Sequence, residues 1–173
     1  LLIDVGVETY SKKTFSPQRY EIWTMQSSWH NLPEFEPESA QYQQQSGLEF
    51  AARDVTVSDA LDAITMDIAP TYGAVPGLGF YRRRVQLGES GLTVQDETDY
   101  HGTVALTLMS VEKPAVEGGT VQFGTLAAAY IKGAARIATE AVPITDPRLR
   151  QAWPDTLYRT RIYFTGALAV EVQ

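Results

Sequence analysis

The stretch RYEIWTMQSSWHNLP (residues 19–33) is the part around which this chain of 173 residues is organised. It is rich in aromatic residues, and it carries His30, one of only two histidines in the sequence. The residue types at positions 20–29 predict a β-strand with neither face fully apolar, as in a strand that other structure partly covers. We expect Asn31 to fix the chain after the histidine by side-chain hydrogen bonds, and Pro33 to end the strand.

The segments on both sides have the composition of short strands separated by turns. Residues 1–7 are interpreted as a buried strand that carries Asp4, and residues 33–47 as a long polar loop. A strand is predicted over residues 48–57, with a bulge at Asp54 where the apolar alternation changes phase. Apolar residues continue to alternate towards the C-terminus, interrupted by Gly and Pro, so further strands are expected there.

The C-terminal part combines strands with two predicted reversals of the chain. We predict two strands over residues 127–138 with a turn at Lys132-Gly133, and a final hairpin that turns at Thr165-Gly166. A short helical turn is expected after Asp146-Pro147. About a dozen short strands in regular succession predict an all-β fold, a large antiparallel β-sandwich of two packed sheets. We expect a single domain over residues 1–173.

Composition and charge exclude several classes of function. A hydrophobic share of 44% and a charged share of 20% are typical of a globular protein. From the sequence we expect neither a transmembrane helix nor a signal peptide within these residues. The absence of Cys removes disulfides, thiolate catalysis and Cys-type zinc sites. A net charge of −7 argues against nucleic acid as a partner, although clustered arginines leave local anion binding open. Because the sequence opens at Leu1 within an apolar strand, we expect it to be a piece of a longer protein.

Asp4 and His30 are the candidate metal ligands. An imidazole and a carboxylate suit zinc, which accepts mixed nitrogen and oxygen donors but needs about four ligands, so this pair would supply only part of a site. The alternatives remain that Asp4 is hydrogen-bonded to backbone at a strand end and that His30 is a structural residue. His101, in a turn between strands, is expected to be a plain surface residue.

Arg82, Arg84 and Trp29 are the candidates for substrate binding. The arginine run at residues 82–84 could attract sulfate or carboxylate groups, or it could be a solvated strand face paired with nearby Asp96 or Glu97. The sequence has no G-x-S-x-G nucleophile motif and no Gly-rich phosphate loop before a helix.

The order of these residues resembles the heparinase II/III-like family of polysaccharide lyases. The N-terminal part of the likeness consists of Asp4-Val5-Gly6, Tyr10, Phe15, Arg19-Tyr20 and Ser28-Trp29-His30-Asn31. It continues through ITMDIAPTY, FYRRRVQL and LTVQD to ITDPRLRQAWPDTLYRTRIYF near the C-terminus. One departure is the loop PEFEPESAQYQQQSG, which is longer and more acidic than the short turn that relatives have beside the histidine.

The resemblance implies a C-terminal β-sandwich that follows an N-terminal α/α toroid lying outside this chain. It also implies a zinc ion held by two histidines and an aspartate, with Asp4 as the aspartate and His30 as the second histidine. The first histidine would lie upstream of this chain. The family's catalytic tyrosine and its partners match no residue here, so no catalytic residue is assigned and the chain alone is expected to be inactive.

The implied reaction is β-elimination on an acidic, uronic-acid-containing polysaccharide, such as a heparin-type glycosaminoglycan or an alginate-type chain. The implied partners are that polysaccharide and the toroid domain, and neither nucleic acid nor a membrane is expected as a partner. The sequence leaves the compartment of the longer protein open, with a periplasmic or secreted location favoured over the cytoplasm. The competing hypothesis is a non-catalytic carbohydrate-binding module, in which Trp23, Trp29 or Trp153 stacks on sugar. A purely structural sandwich is the third reading.

Overall fold

The computed structural model describes residues 2–39 and 41–173, and this part of the chain is all-β with antiparallel strand pairing. Leu1, where the predicted strand over residues 1–7 begins, and Ala40 in the polar loop lie outside the described residues. The strands are β1 (Leu2–Ile3), β2 (Pro33–Phe35), β3 (Arg53–Val57), β4 (Ala63–Asp67), β5 (Tyr81–Gly88), β6 (Gly91–Thr98), β7 (Val104–Ser110), β8 (Ala115–Glu117), β9 (Thr120–Phe123), β10 (Ala127–Pro143) and β11 (Thr156–Val172). The helical elements are short 3₁₀ turns at Lys13–Phe15, Pro17–Glu21, Trp23–Met25, Ser27–Trp29, Ala69–Tyr72 and Leu149–Gln151. No helix of the described residues is long and apolar enough to cross a membrane.

The two long strands β10 and β11 pair along most of their length and belong to both layers of the sandwich. Residues 167–172 of β11 pair with β6, and the sheet continues from there through β5 and β4 to β3. Residues 158–164 of β11 instead pair with β7, which also carries β1 and β2. One hydrogen-bonded network therefore divides into two layers where β11 passes residues 165–166.

The main core lies between these layers. It contains fully buried side chains from β2, β5, β7, β9 and β11, which are Phe35, Tyr81, Val104, Leu106, Val121, Phe123, Ile162, Phe164 and Val170. The Phe35 ring packs edge-on against the rings of Tyr72, Tyr81 and Tyr100, at centroid distances between 4.9 and 5.7 Å. Burial of this apolar surface is the dominant favourable term in folding, and the edge-on ring contacts add to it. The predicted all-β sandwich is confirmed.

The two predicted reversals near the C-terminus are wrong, because β10 and β11 are each 17 residues long and uninterrupted. Gly133 and Gly166 do have the positive φ angles that turns use, +92° and +71°. In β10, however, the register shifts between Lys132 and Ala134, so the glycine forms a bulge. A Cβ atom at Gly133 would collide with the backbone oxygen of Ala167, which explains why glycine stands there.

The predicted strand over residues 20–29 is also wrong. This segment is a succession of 3₁₀ turns, in which the N–H groups of Met25, Gln26, Trp29 and His30 each donate to the carbonyl three residues earlier. The buried positions are Thr24, Ser27 and Ser28, at a spacing of three to four residues, whereas a strand would bury every second residue. Aromatic content indicated a strand, but local hydrogen bonds and packing against the sheet decide the conformation.

Three smaller predictions have clear outcomes. The bulge at Asp54 is confirmed, since the register of β3 on β4 shifts between Arg53 and Thr56 and Asp54 has φ +52°. The helical turn after Asp146-Pro147 is confirmed at Leu149–Gln151. The loop over residues 33–47 is wrong at its start, because Pro33–Phe35 forms β2 on the edge of β7.

A buried ion pair links β5 and β6 on the side that faces the other layer. Arg83 donates to both carboxylate oxygens of Asp96 at 2.7 Å, and the two residues are 8% and 2% exposed. The Tyr81 hydroxyl also donates to Asp96, at 2.7 Å. Burial by itself lowers the pKa of an arginine, but the charge and hydrogen bonds of Asp96 raise the pKa of Arg83, so the guanidinium stays charged.

Asn31 connects this ion pair to the opposite layer. Its backbone carbonyl accepts a hydrogen bond from Arg83 at 3.2 Å. Its side-chain amide donates to the Ile3 carbonyl at 2.9 Å and accepts from the Met109 N–H at 3.0 Å, which fixes the segment onto β1 and β7. The expectation that Asn31 fixes the chain by side-chain hydrogen bonds is confirmed.

Replacing Arg83 by Met should lower the free energy of unfolding by about 3–5 kcal/mol, because the Asp96 carboxylate would stay buried without its partner. Arg82→Met is the matched control, since Arg82 pairs with Glu97 on the same two strands but both side chains are more than half exposed. The control should cost less than about 1 kcal/mol. Urea unfolding measures both, and equal losses would contradict the structural role of the buried pair.

Replacing Asn31 by Ala should lower the free energy of unfolding by about 2–4 kcal/mol, because a buried carbonyl and a buried N–H both lose their partner. Gln26→Ala is the control: this side-chain amide also donates to one carbonyl, that of Tyr20, and accepts from one indole, that of Trp29. Since the Gln26 donor bond is exposed, its loss should cost under about 1 kcal/mol. Urea denaturation with circular dichroism compares the two variants, and a larger loss for Gln26→Ala would exclude the proposed bridging role of Asn31.

Candidate functional site

The structure brings Asp4 and His30 into direct contact. Asp4 follows β1, His30 follows the 3₁₀ turn at Ser27–Trp29, and the Asp4 Oδ2 atom lies 2.8 Å from the His30 Nδ1 atom. The side chains are 59% and 24% exposed, so the pair opens towards solvent. The two residues are 26 positions apart in the chain, and the fold places them at one point.

The contact of the second ring nitrogen of His30 restricts what can lie between its Nδ1 atom and the Asp4 carboxylate. Its Nε2 atom is 3.2 Å from the Thr24 carbonyl oxygen, which can only accept a hydrogen bond. When Nε2 carries the proton and donates to Thr24, the Nδ1 atom faces an Asp4 oxygen that is itself an acceptor. A second proton on the ring or a cation is then required between Nδ1 and Asp4. Metal-bound histidines commonly donate their other N–H to a backbone carbonyl in this way.

The surroundings of Asp4 favour its charged form. Partial burial alone would raise its pKa, but the hydrogen bond with His30, the hydrogen bond from the Gly6 N–H at 2.9 Å and the coulombic influence of His30 together lower the pKa of Asp4. A carboxylate that stays ionised is available both as the partner of an imidazolium and as an oxygen ligand.

Asp4 and His30 are residue types that zinc accepts, and they would supply two of the roughly four ligands that it needs. Two tetrahedral zinc ligand atoms lie about 3.4 Å apart, which is longer than the 2.8 Å contact between these side chains. No group of three His, Cys, Asp or Glu side chains suited to a metal occurs among residues 2–39 and 41–173. Further ligands would have to come from solvent or from outside these residues.

Trp29, a predicted substrate-binding residue, is engaged in packing beside this pair. The Arg159 guanidinium stacks over its ring at 3.6 Å, and Trp23 contacts it edge-on at 5.0 Å. The indole N–H groups of all three tryptophans donate within the chain, Trp23 to Glu8, Trp29 to Gln26 and Trp153 to the Val5 carbonyl. Each ring also packs against the smaller core cluster around Leu157. This arrangement disfavours sugar stacking on these rings.

Arg82 and Arg84, the other predicted substrate-binding residues, lie away from Asp4 and His30. Successive side chains of a strand point to opposite faces, and Arg83 between them points inwards to Asn31. Arg82 and Arg84 therefore occupy the outer face of β5. Arg82 pairs with Glu97 at 3.1 Å, while Asp96, the other predicted partner of the arginine run, is taken by Arg83.

A polar cluster that the sequence did not reveal lies beside Trp29. Glu34 is 3% exposed and accepts from the Thr107 hydroxyl at 2.5 Å and from Arg161 at 3.2 Å. Burial raises the pKa of Glu34, and Thr107, Arg161 and Arg159 oppose that shift only in part. Because residues 33–47 were predicted to be a polar loop, Glu34 was not recognised as a buried carboxylate. Arg159 and Arg161 alternate along β11, and this pattern could have indicated charged residues on a covered face of the strand.

His101 is exposed and lies between β6 and β7 in the sequence. The pKa of Asp99 is lowered, mainly by the hydrogen bond from the Phe80 N–H, and burial opposes this shift. The coulombic influence of His101 is a smaller contribution in the same direction. The position agrees with the surface role expected for this residue.

Comparison with known proteins gives structural relatives alone. No protein-family profile and no curated protein matches the chain. A solved heparinase III superposes on 99% of the chain with a TM-score of 0.64 and 14% identity, and the heparan sulfate lyase HepC from Pedobacter heparinus superposes on 98% with a TM-score of 0.61 and 13% identity. The chain spans 28% of the length of each of these proteins. At this identity the likeness shows the fold, and the chain shares the fold of one part of these heparinase structures.

Proposed function

We propose that this chain is the C-terminal β-sandwich of a polysaccharide lyase that cleaves an acidic, uronic-acid-containing polysaccharide by β-elimination. The observation that carries the proposal is the superposition of nearly the whole chain on part of two enzymes named as a heparinase and a heparan sulfate lyase. The contact between Asp4 and His30, at the two positions where the sequence resembles the zinc motif of such lyases, supports it independently.

In the proposed reaction, the uronic-acid carboxylate is neutralised, a base removes the proton at C5 and a general acid protonates the leaving glycosidic oxygen. No residue of this chain is assigned to those steps, and the toroid domain proposed to precede it would supply them. A zinc ion at Asp4 and His30 would supply a fixed anchor for neighbouring segments. Asp4 would contribute an ionised oxygen, and the Thr24 carbonyl would hold the ring of His30 in orientation.

The second candidate function is acidic-carbohydrate binding without catalysis. The basic outer face of β5 favours it, since Arg82 and Arg84 lie there beside a surface groove. Trp23, Trp29 and Trp153 do not support this function, because their rings pack within the protein and are not presented to a sugar.

A longer protein that contains this chain after a toroid domain should depolymerise an acidic polysaccharide and generate the ultraviolet absorbance of an unsaturated uronate. The 173-residue chain assayed alone is the control and should generate none, because it lacks the base and the acid. Binding of the polysaccharide by the longer protein without any unsaturated product would overturn the lyase proposal and leave the non-catalytic one.

The longer protein should contain about one zinc per chain by elemental analysis, and His30→Ala should lose it. His101→Ala is the matched control, because it removes the other histidine and leaves Asp4 and His30 intact, and it should keep the metal. The 173-residue chain should bind zinc weakly or not at all, since a ligand is missing. Tight stoichiometric zinc in the short chain, or zinc retained by His30→Ala, would contradict these ligand assignments.

A further inference from the structure

The outer face of the first layer carries a groove that is separate from Asp4 and His30. Its volume is about 560 Å³, and its lining residues come from β4, β5, β6, β10 and β11. It includes the predicted substrate-binding residues Arg82 and Arg84 and adds Lys132, which the sequence did not single out.

The strand register places five of the lining residues in one row across the sheet. Thr65 pairs with Arg84, Arg84 with Gln95, Gln95 with Ala169, and Ala169 with Lys132. Directly paired residues of neighbouring strands point to the same face. Arg84 and Lys132 are three strand spacings apart, or about 14 Å, with Gln95 and the short side chain of Ala169 between them.

The middle of the groove is low because its residues are small. Ala167, Ala169 and Gly133 form this part, at the bulge where β10 comes closest to β11. Gly133 lets the two backbones approach, since any Cβ atom there would meet the Ala167 carbonyl oxygen. A sugar ring can therefore approach the sheet over the alanines, between the side chains of Gln95 and Lys132.

The groove is locally basic in a chain whose net charge is −7. Arg82 is partly neutralised by Glu97, and Arg84 is held by the Gln86 side chain at 3.3 Å. Lys132 is exposed, and no ion pair with a carboxylate is found for it within residues 2–39 and 41–173.

Three further carboxylates lie near this face, and of these only Glu171, two residues along β11 from Ala169, is exposed. Asp96 lines the groove, but its carboxylate is bound to Arg83 and the Tyr81 hydroxyl on the other side of the sheet. Asp62 accepts from the Gln86 amide at 3.1 Å. Hydrogen bonds from Ser58 and Gln86 lower the pKa of Asp62 most, and the charge of Arg84 adds to this shift. Arg84 and Lys132 thus remain available to an anionic ligand from solvent.

We propose that this groove binds an acidic oligosaccharide, with sulfate or carboxylate groups on Arg84 and Lys132 and a sugar ring over the alanines between them. The choice of an acidic sugar rests on the proposed function, whereas the location rests on the register, the small residues and the local charge. Two separated cations match the repeated anionic groups of such a chain, and charge-assisted hydrogen bonds hold them.

The test is isothermal titration calorimetry of the 173-residue chain with a heparin-derived oligosaccharide at low ionic strength. Arg84→Gln and Lys132→Gln should each weaken binding about tenfold, the effect of losing one charge-assisted hydrogen bond. Arg148→Gln and Lys113→Gln are the matched controls, since they make the same charge changes at exposed positions outside the groove. The controls should bind like the parent chain, and circular dichroism checks that every variant is folded.

Two further ligands separate the possible sources of the anion. An oligogalacturonate, which carries carboxylates alone, should bind if any anionic group suffices, whereas binding of the heparin-derived oligosaccharide alone would assign the groove to sulfated sugars. A neutral cello-oligosaccharide should not bind. Equal losses in groove and control variants, or equal binding of the neutral sugar, would overturn the proposal.

These outcomes are independent of the lyase assay. If the groove variants bind like the parent chain, the groove proposal fails and the lyase proposal stands. If the longer protein has no lyase activity, a binding groove on a non-catalytic module is left.

Discussion

The buried ion pair between Arg83 and Asp96 is the interaction on which the candidate metal centre depends. Charges so deep in a protein are tolerated only when their hydrogen bonds are satisfied, and here the tyrosine hydroxyl and the Asn31 carbonyl complete the set. Because the guanidinium holds the backbone of Asn31, the Asn31 amide is held where it reaches the Ile3 carbonyl. His30 and Asp4 are the immediate neighbours of these two residues, so the same bonds determine that they meet.

Strand β5 serves two surfaces through simple alternation. Its inward arginine stabilises the contact between the layers, while its outward arginines, Arg82 and Arg84, line the basic groove. The two candidate sites therefore lie on opposite sides of one sheet and have different chemistry. One offers an imidazole and a carboxylate to a cation, and the other offers cationic side chains to an anion. A lyase sandwich could use the first for structural organisation and the second to hold polysaccharide.

The sequence was sufficient for the fold class because buried strands alternate and turns are marked by Gly and Pro. It failed where one local signal has two structural outcomes. Glycine with positive φ serves a bulge as well as a turn, so Gly133 and Gly166 were taken for reversals of the chain although both long strands continue through them. Aromatic residues around Trp23 favoured a strand, but the segment forms 3₁₀ turns that pack on a sheet. The local sequence does not show where that sheet lies, so this packing could not be predicted. Asp4 and His30 were paired as candidate zinc ligands from their chemistry, and the resemblance then supported the pairing. A separation of 26 residues carries no geometric information by itself.

The most direct test of the central claim, that Asp4 and His30 form half of a metal centre in a lyase sandwich, is anomalous X-ray diffraction at the zinc edge from crystals of a longer protein containing this chain. We predict an anomalous peak between the Asp4 carboxylate and the His30 Nδ1 atom, completed by a ligand from outside the 173 residues. An intact 2.8 Å hydrogen bond between the two side chains, with no anomalous signal there in protein purified with zinc, would contradict it.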